Sequence, residues 1–123
     1  MLKMKIMLLE DDPTMLRLLS SVLTLEGFST ILPTYNNIND ILQSILDEAP
    51  DAIFMDVHLG DIDGLDVLGR IRANKSISKS NILMTSGMDL RLECQAARAD
   101  GFLMKPFMPS DLVNWLKTNT EKE

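Results

Sequence analysis

The chain has one cysteine, Cys94, one histidine, His58, and fewer basic than acidic residues, 12 against 18. Each scarcity excludes something. A single cysteine cannot close an intrachain disulfide, which fits a reducing compartment. A lone histidine is a poor start for a metal centre, so ligation through the His58 side chain is not expected. The net charge of −6 and pI of about 4.7 argue against a basic nucleic-acid face, so no direct nucleic-acid binding is expected. No apolar run approaches the length of a membrane-spanning helix. The apolar start is cut short at Glu10-Asp11-Asp12, without the longer core and small-residue site of a signal peptide. A cytoplasmic location with no membrane contact is therefore expected. No internal repeat or low-complexity stretch is visible.

What is present is an ordinary globular mixture. The chain has 123 residues, 46% hydrophobic and 24% charged, which suits one domain over residues 1–123. Short apolar runs alternate with helical patterns. Runs at residues 4–9, 28–32, 52–55, 82–84 and 102–104 read as five strands. Apolar residues at helical spacing follow each of them. Asp12 before Pro13 is a helix start, Asn37 or Asn39 can cap the second helix, and Pro50 stops it. A loop over residues 60–64 leads into the third helix. The fourth helix is expected over about residues 89–99, and the fifth from Pro109, leaving a polar tail over residues 118–123. Apolar runs without alternation suit strands buried on both faces. Strand–helix alternation predicts an α/β fold with a parallel sheet and helices on both sides. The nine methionines and Trp115 are expected in the core.

In open parallel sheets chemistry collects at the carboxyl ends of the strands. Glu10, Asp11 and Asp12 follow the first strand and Asp56 follows the third. Thr85 and Ser86 follow the fourth, and Lys105 follows the fifth. Clustered carboxylates repel one another and call for a cation, and hard oxygen donors suit Mg2+ or Mn2+. A carboxylate can also attack phosphorus, and the transferring group then needs an ammonium, a metal and a hydroxyl.

These segments together resemble the receiver domain of bacterial two-component response regulators. Ile6-Met7-Leu8-Leu9-Glu10-Asp11-Asp12 is similar to the family's first strand and acidic cluster. Ala52-Ile53-Phe54-Met55-Asp56 resembles its phosphoacceptor strand, and Gly64 its helix-opening glycine. Ile82-Leu83-Met84-Thr85-Ser86-Gly87 and Asp100-Gly101-Phe102-Leu103-Met104-Lys105-Pro106-Phe107 resemble its hydroxyl and lysine–proline segments. The resemblance implies a flavodoxin-like (βα)5 doubly wound sheet of order 2-1-3-4-5. It implies Asp56 as phosphoacceptor and Lys105 as the phosphoryl-binding cation. Mg2+ would be held by Asp11 and Asp56, by Glu10 through water, and by the His58 backbone carbonyl. Thr85 would be the switch hydroxyl, with Ser86 the alternative, and Phe102 the rotating aromatic. The Lys105–Pro106 peptide would be cis. A sensor histidine kinase or phosphotransfer protein would be the partner, and the domain could pair as a homodimer.

The function so implied is a phosphorylation-controlled switch that alters the surface of its fourth helix, fifth strand and fifth helix. It is not an enzyme beyond its own phosphorylation and dephosphorylation. Two alternatives compete. One is a phosphorylation-independent interaction module, whose mark would be loss of Asp56 or Lys105. The other is an aspartyl-nucleophile phosphatase, which would carry a second aspartate where His58 stands. A flavin protein would need a phosphate loop after the first strand. Gly60 departs from the family pattern of proline, and residues 34–39 match no family segment. No output segment follows the last helix, so either a stand-alone receiver or one domain of a longer regulator is expected.

Overall fold

Five parallel strands form the sheet of the computed structural model, which describes residues 3–120. They are β1 (Lys5–Leu9), β2 (Ser29–Ile31), β3 (Ala52–Asp56), β6 (Asn81–Ser86) and β7 (Gly101–Met104). Two short strands, β4 (His58–Leu59) and β5 (Ile62–Asp63), form a separate antiparallel hairpin. The sheet order is β2-β1-β3-β6-β7. Counting only its five members, this is the expected 2-1-3-4-5 order of a flavodoxin-like fold.

Successive side chains on each strand sort to opposite faces. Met7, Leu9, Ile53, Met55, Ile82 and Met84 pack on one side with α2 (Ile38–Glu48), α3 (Gly64–Ala73) and α4 (Arg91–Ala96). Ile6, Leu8, Ala52, Phe54 and Leu83 pack on the other with α1 (Pro13–Leu25) and α5 (Pro109–Thr120). Both faces are apolar because both are covered. The chain leaves β1 for β2 at one edge and returns to β3 on the other side. The carboxyl ends of β1 and β3 therefore flank the reversal point, where a crevice opens.

Caps fix the starts of the helices near that edge. The Asp12 side chain accepts from the Thr14 and Met15 amides at 2.9 and 3.4 Å. Asn37, not Asn39, caps α2 by accepting from the Asp40 amide. The Lys105–Pro106 peptide is cis, as the resemblance implied.

Several expectations change. Residues 60–64 are not simply a loop, since half of the β4–β5 hairpin lies there. Thr85 and Ser86 are the last residues of β6 rather than its exit. The fourth helix has six residues, because Leu90 offers no side-chain cap and Arg98 adopts a left-handed φ of 69°. Residues 118–120 continue α5, with Thr120 buried and donating to the Leu116 carbonyl. Residues 121–123 of the expected tail lie outside the described residues. Met7, Met55 and Met84 are core, but Met88, Met104 and Met108 are exposed. Trp115 is half-buried against the α1–α5 side of the core.

Candidate functional site

The crevice at the carboxyl edge holds Glu10, Asp11 and Asp56. One oxygen from each lies within 4.8 Å of the others. Glu10 follows β1 and is buried, Asp11 is exposed beside it, and Asp56 is the buried last residue of β3. Lys105, which follows β7, reaches across the crevice. Its ammonium donates to Asp56 Oδ2 at 2.5 Å and to Glu10 Oε1 at 2.8 Å. The second oxygen of each carboxylate is also fixed by the backbone. Asp56 Oδ1 accepts from the His58 amide at 2.9 Å, and Glu10 Oε2 from the Asp12 amide at 3.1 Å.

Burial pushes the Glu10 carboxyl above its usual range, with the Lys105 hydrogen bond opposing the shift. For Lys105 burial acts to lower the pKa, but its hydrogen bonds to Asp56 and Glu10 outweigh that and raise it. The ammonium is thus locked in its charged form. Three carboxylates cluster in the crevice and Lys105 pairs with two of them, so the crevice keeps a net negative charge. All donors on the acidic side are hard oxygens, which fits a Mg2+-type ion better than a softer metal.

The backbone around Asp56 is tightly placed. A Cβ on Gly64 would stand 2.4 Å from the Asp56 carbonyl oxygen and 2.9 Å from Val57 Cα. Only glycine lets α3 begin against the end of β3. Gly60, at φ 62°, donates its amide to Asp11 Oδ2 at 3.1 Å. That bond ties the hairpin turn to the acidic cluster.

Thr85 lies directly opposite Asp56 in the β3–β6 register and is fully buried. Its hydroxyl donates to the Leu103 carbonyl on β7 at 2.7 Å, away from the carboxylates. Ser86 is equally buried, and its hydroxyl accepts from the Met88 amide. Phe102 is half-buried on β7, adjacent to Met84 in register. The His58 side chain is exposed, and its amide, not its imidazole, meets Asp56. Burial raises the Cys94 thiol to about 11, so it stays a protonated core residue.

Sequence reasoning passed over Tyr35. This half-buried phenol packs against the core after β2, and its pKa is raised by burial and by Asp11, Glu10 and Asp56. Its one signal was position: a polar aromatic in the segment after a strand's carboxyl end.

The response regulator receiver domain family model matches residues 6–117. The DNA-binding response regulator MtrA of Mycolicibacterium smegmatis is 29% identical over 113 residues, 91% of this chain and 48% of that protein. The transcriptional regulatory protein PrrA of Mycobacterium bovis is 30% identical over 114 residues, 92% of this chain and 48% of that protein. The chain spans about half the length of these curated relatives. Among solved structures, a response regulator signal receiver domain from Bermanella marisrubri superposes with a TM-score of 0.86 at 24% identity. That match covers 98% of this chain and all of the other.

Proposed function

The chain belongs to the response regulator receiver domain family, and from that premise we propose that it is a phosphoacceptor switch with Asp56 as the acceptor. The observation that carries this reading is the Lys105 ammonium bridging Asp56 and Glu10 inside an acidic crevice. An Asp56 carboxylate oxygen attacks the phosphorus of a phosphohistidine donor. The P–N bond breaks, the imidazole leaves with its electron pair, and an acyl phosphate forms on Asp56. Lys105 needs little movement to meet the phosphoryl oxygens, and the His58 amide holds the carboxylate in place during attack. Mg2+ or Mn2+, held by Asp11 and Asp56, by Glu10 through water and by the His58 carbonyl, would offset charge on the transferring group.

The phosphoryl group then competes with the Leu103 carbonyl for the Thr85 hydroxyl. Ser86 is the weaker choice because Thr85, not Ser86, stands opposite Asp56 in the β3–β6 register. Movement of Thr85 and Phe102 carries the change to the surface of α4, β7 and α5. The donor is a sensor histidine kinase or phosphotransfer protein in the cytoplasm, and pairing of two copies would use the altered surface. The domain acts as a signalling switch and catalyses only its own phosphorylation and dephosphorylation. With a net charge of −6, the domain itself makes no direct contact with nucleic acid.

Intact mass after incubation with acetyl phosphate and Mg2+ tests the assignment. One phosphoryl adduct is expected on the wild type and none on Asp56→Asn. A folded wild type without an adduct would remove Asp56 as acceptor and favour a phosphorylation-independent module.

A further inference from the structure

Phe102 stands at the boundary between the crevice and the surface that would change. Its neighbour Leu103 accepts the Thr85 hydroxyl, so a shift of either residue reaches the other along β7. The ring lines a cavity of about 260 Å3 beneath α4, together with Arg91, Cys94, Gln95 and Ala99. A phenylalanine has no hydroxyl with which to hold its orientation. What its ring face has instead is a cation. The Arg91 guanidinium carbon lies 5.5 Å from the ring centroid, within the range of a cation–π contact. Among the described residues, no ion pair involves Arg91.

The helix that carries Arg91 is anchored unequally. Beyond its carboxyl end, Arg72 donates to the Arg98 carbonyl at 2.8 Å and pairs with Asp100 at 3.0 Å. At its amino end Leu90 gives no side-chain cap, and the side-chain tie there is one long bond, the Arg91 amide donating to Asp89 Oδ1 at 3.3 Å. Met88 and Leu92 there are 60% and 76% exposed. The amino-terminal turn is therefore the freer end, and Arg91 at its start reaches from it to β7.

We propose that Arg91 is a positioning residue that latches Phe102 in the α4–β7 groove and so holds the domain in its resting state. This rests on the phosphoacceptor reading and adds to it which residue sets the resting equilibrium. Loss of the contact favours the state that the phosphoryl group favours. By linkage it raises affinity for a phosphoryl mimic by the same factor. A cation–π contact at an exposed site corresponds to a change of about two- to fivefold.

The test is the affinity of the full chain for beryllium fluoride with Mg2+, in wild type, Arg91→Gln, Phe102→Leu and the double variant. Arg91→Gln is expected to bind about two- to fivefold tighter than wild type, and in the Phe102→Leu background it should change nothing. In the unliganded protein, proton NMR should show Arg91 side-chain resonances shifted upfield by the ring, and normal in Phe102→Leu. Equal affinity of Arg91→Gln and a wild type that binds well would overturn the latch and leave the acceptor assignment standing. So would an equal gain in both backgrounds, which would mean that Arg91 acts elsewhere. A wild type that binds no beryllium fluoride and takes no phosphoryl group would overturn the acceptor assignment and the latch with it.

Discussion

Gly64 opens α3 so close to the end of β3 that no other side chain fits there. The atoms its Cβ would strike belong to the backbone of Asp56 and Val57, so no rotamer change relieves the clash. Gly64→Ala is expected to lower unfolding free energy by about 2–3 kcal/mol in urea titration, in line with core overpacking. Gly69, an exposed residue of α3 with nothing within 4 Å of its added Cβ, is the control. Gly69→Ala should stabilise by about 0.5–1 kcal/mol, the usual helix-propensity gain. Asp56 and Lys105 were legible because each stands at the end of an apolar strand, and Gly64 through the family resemblance. The partner of the Thr85 hydroxyl was not. It is a carbonyl on another strand, 18 residues away, and any residue type there would offer the same atom.

At the scale of elements, long periodic segments were readable and short ones were not. α1 begins at Pro13 with Asp12 as its cap, and both features are local. The β4–β5 hairpin has two residues per strand. It is held partly by the Gly60 amide on Asp11, a tie across 49 positions that no local pattern announces. The carboxyl end of α3 shows the same limit. Arg72 reads as an ordinary last-turn cation, yet its side chain is only 8% exposed. It donates to the carbonyls of Ser78, Ser80 and Arg98 and pairs with Asp100. The planar guanidinium spreads its donors over a fork that reaches four acceptors on two separate segments, a span the single nitrogen of lysine does not match. Arg72→Lys should therefore behave nearly as Arg72→Met, each costing about 2–4 kcal/mol through carbonyls and a carboxylate left unpaired. Amide exchange should accelerate first in residues 74–80 and 97–101, ahead of the central strands. Uniform acceleration over the whole sheet would show that Arg72 does not anchor these segments locally.

At the scale of the molecule, strand order and charge work together. The reversal between β1 and β3 brings Glu10 and Asp11 to Asp56, 46 and 45 positions away in sequence, and leaves them with one ammonium for three carboxylates. Repulsion among them opposes folding, and it adds to the self-repulsion of a chain with net charge −6. A divalent cation that binds only the folded crevice must raise stability by mass action. At tenfold excess over its dissociation constant the gain is about 1.4 kcal/mol, or about 4–7 °C in a domain of this size. Thermal unfolding of the wild type should therefore shift upward with MgCl2 and much less with NaCl of equal ionic strength. Asp11→Asn should remove most of the Mg2+-specific shift while raising stability without the ion, because one of the mutually repelling charges is gone. Asn at this exposed position keeps a side-chain oxygen for the Gly60 amide, so the tie to the hairpin survives the substitution. Equal shifts in Asp11→Asn and wild type would place the cation elsewhere on the acidic surface.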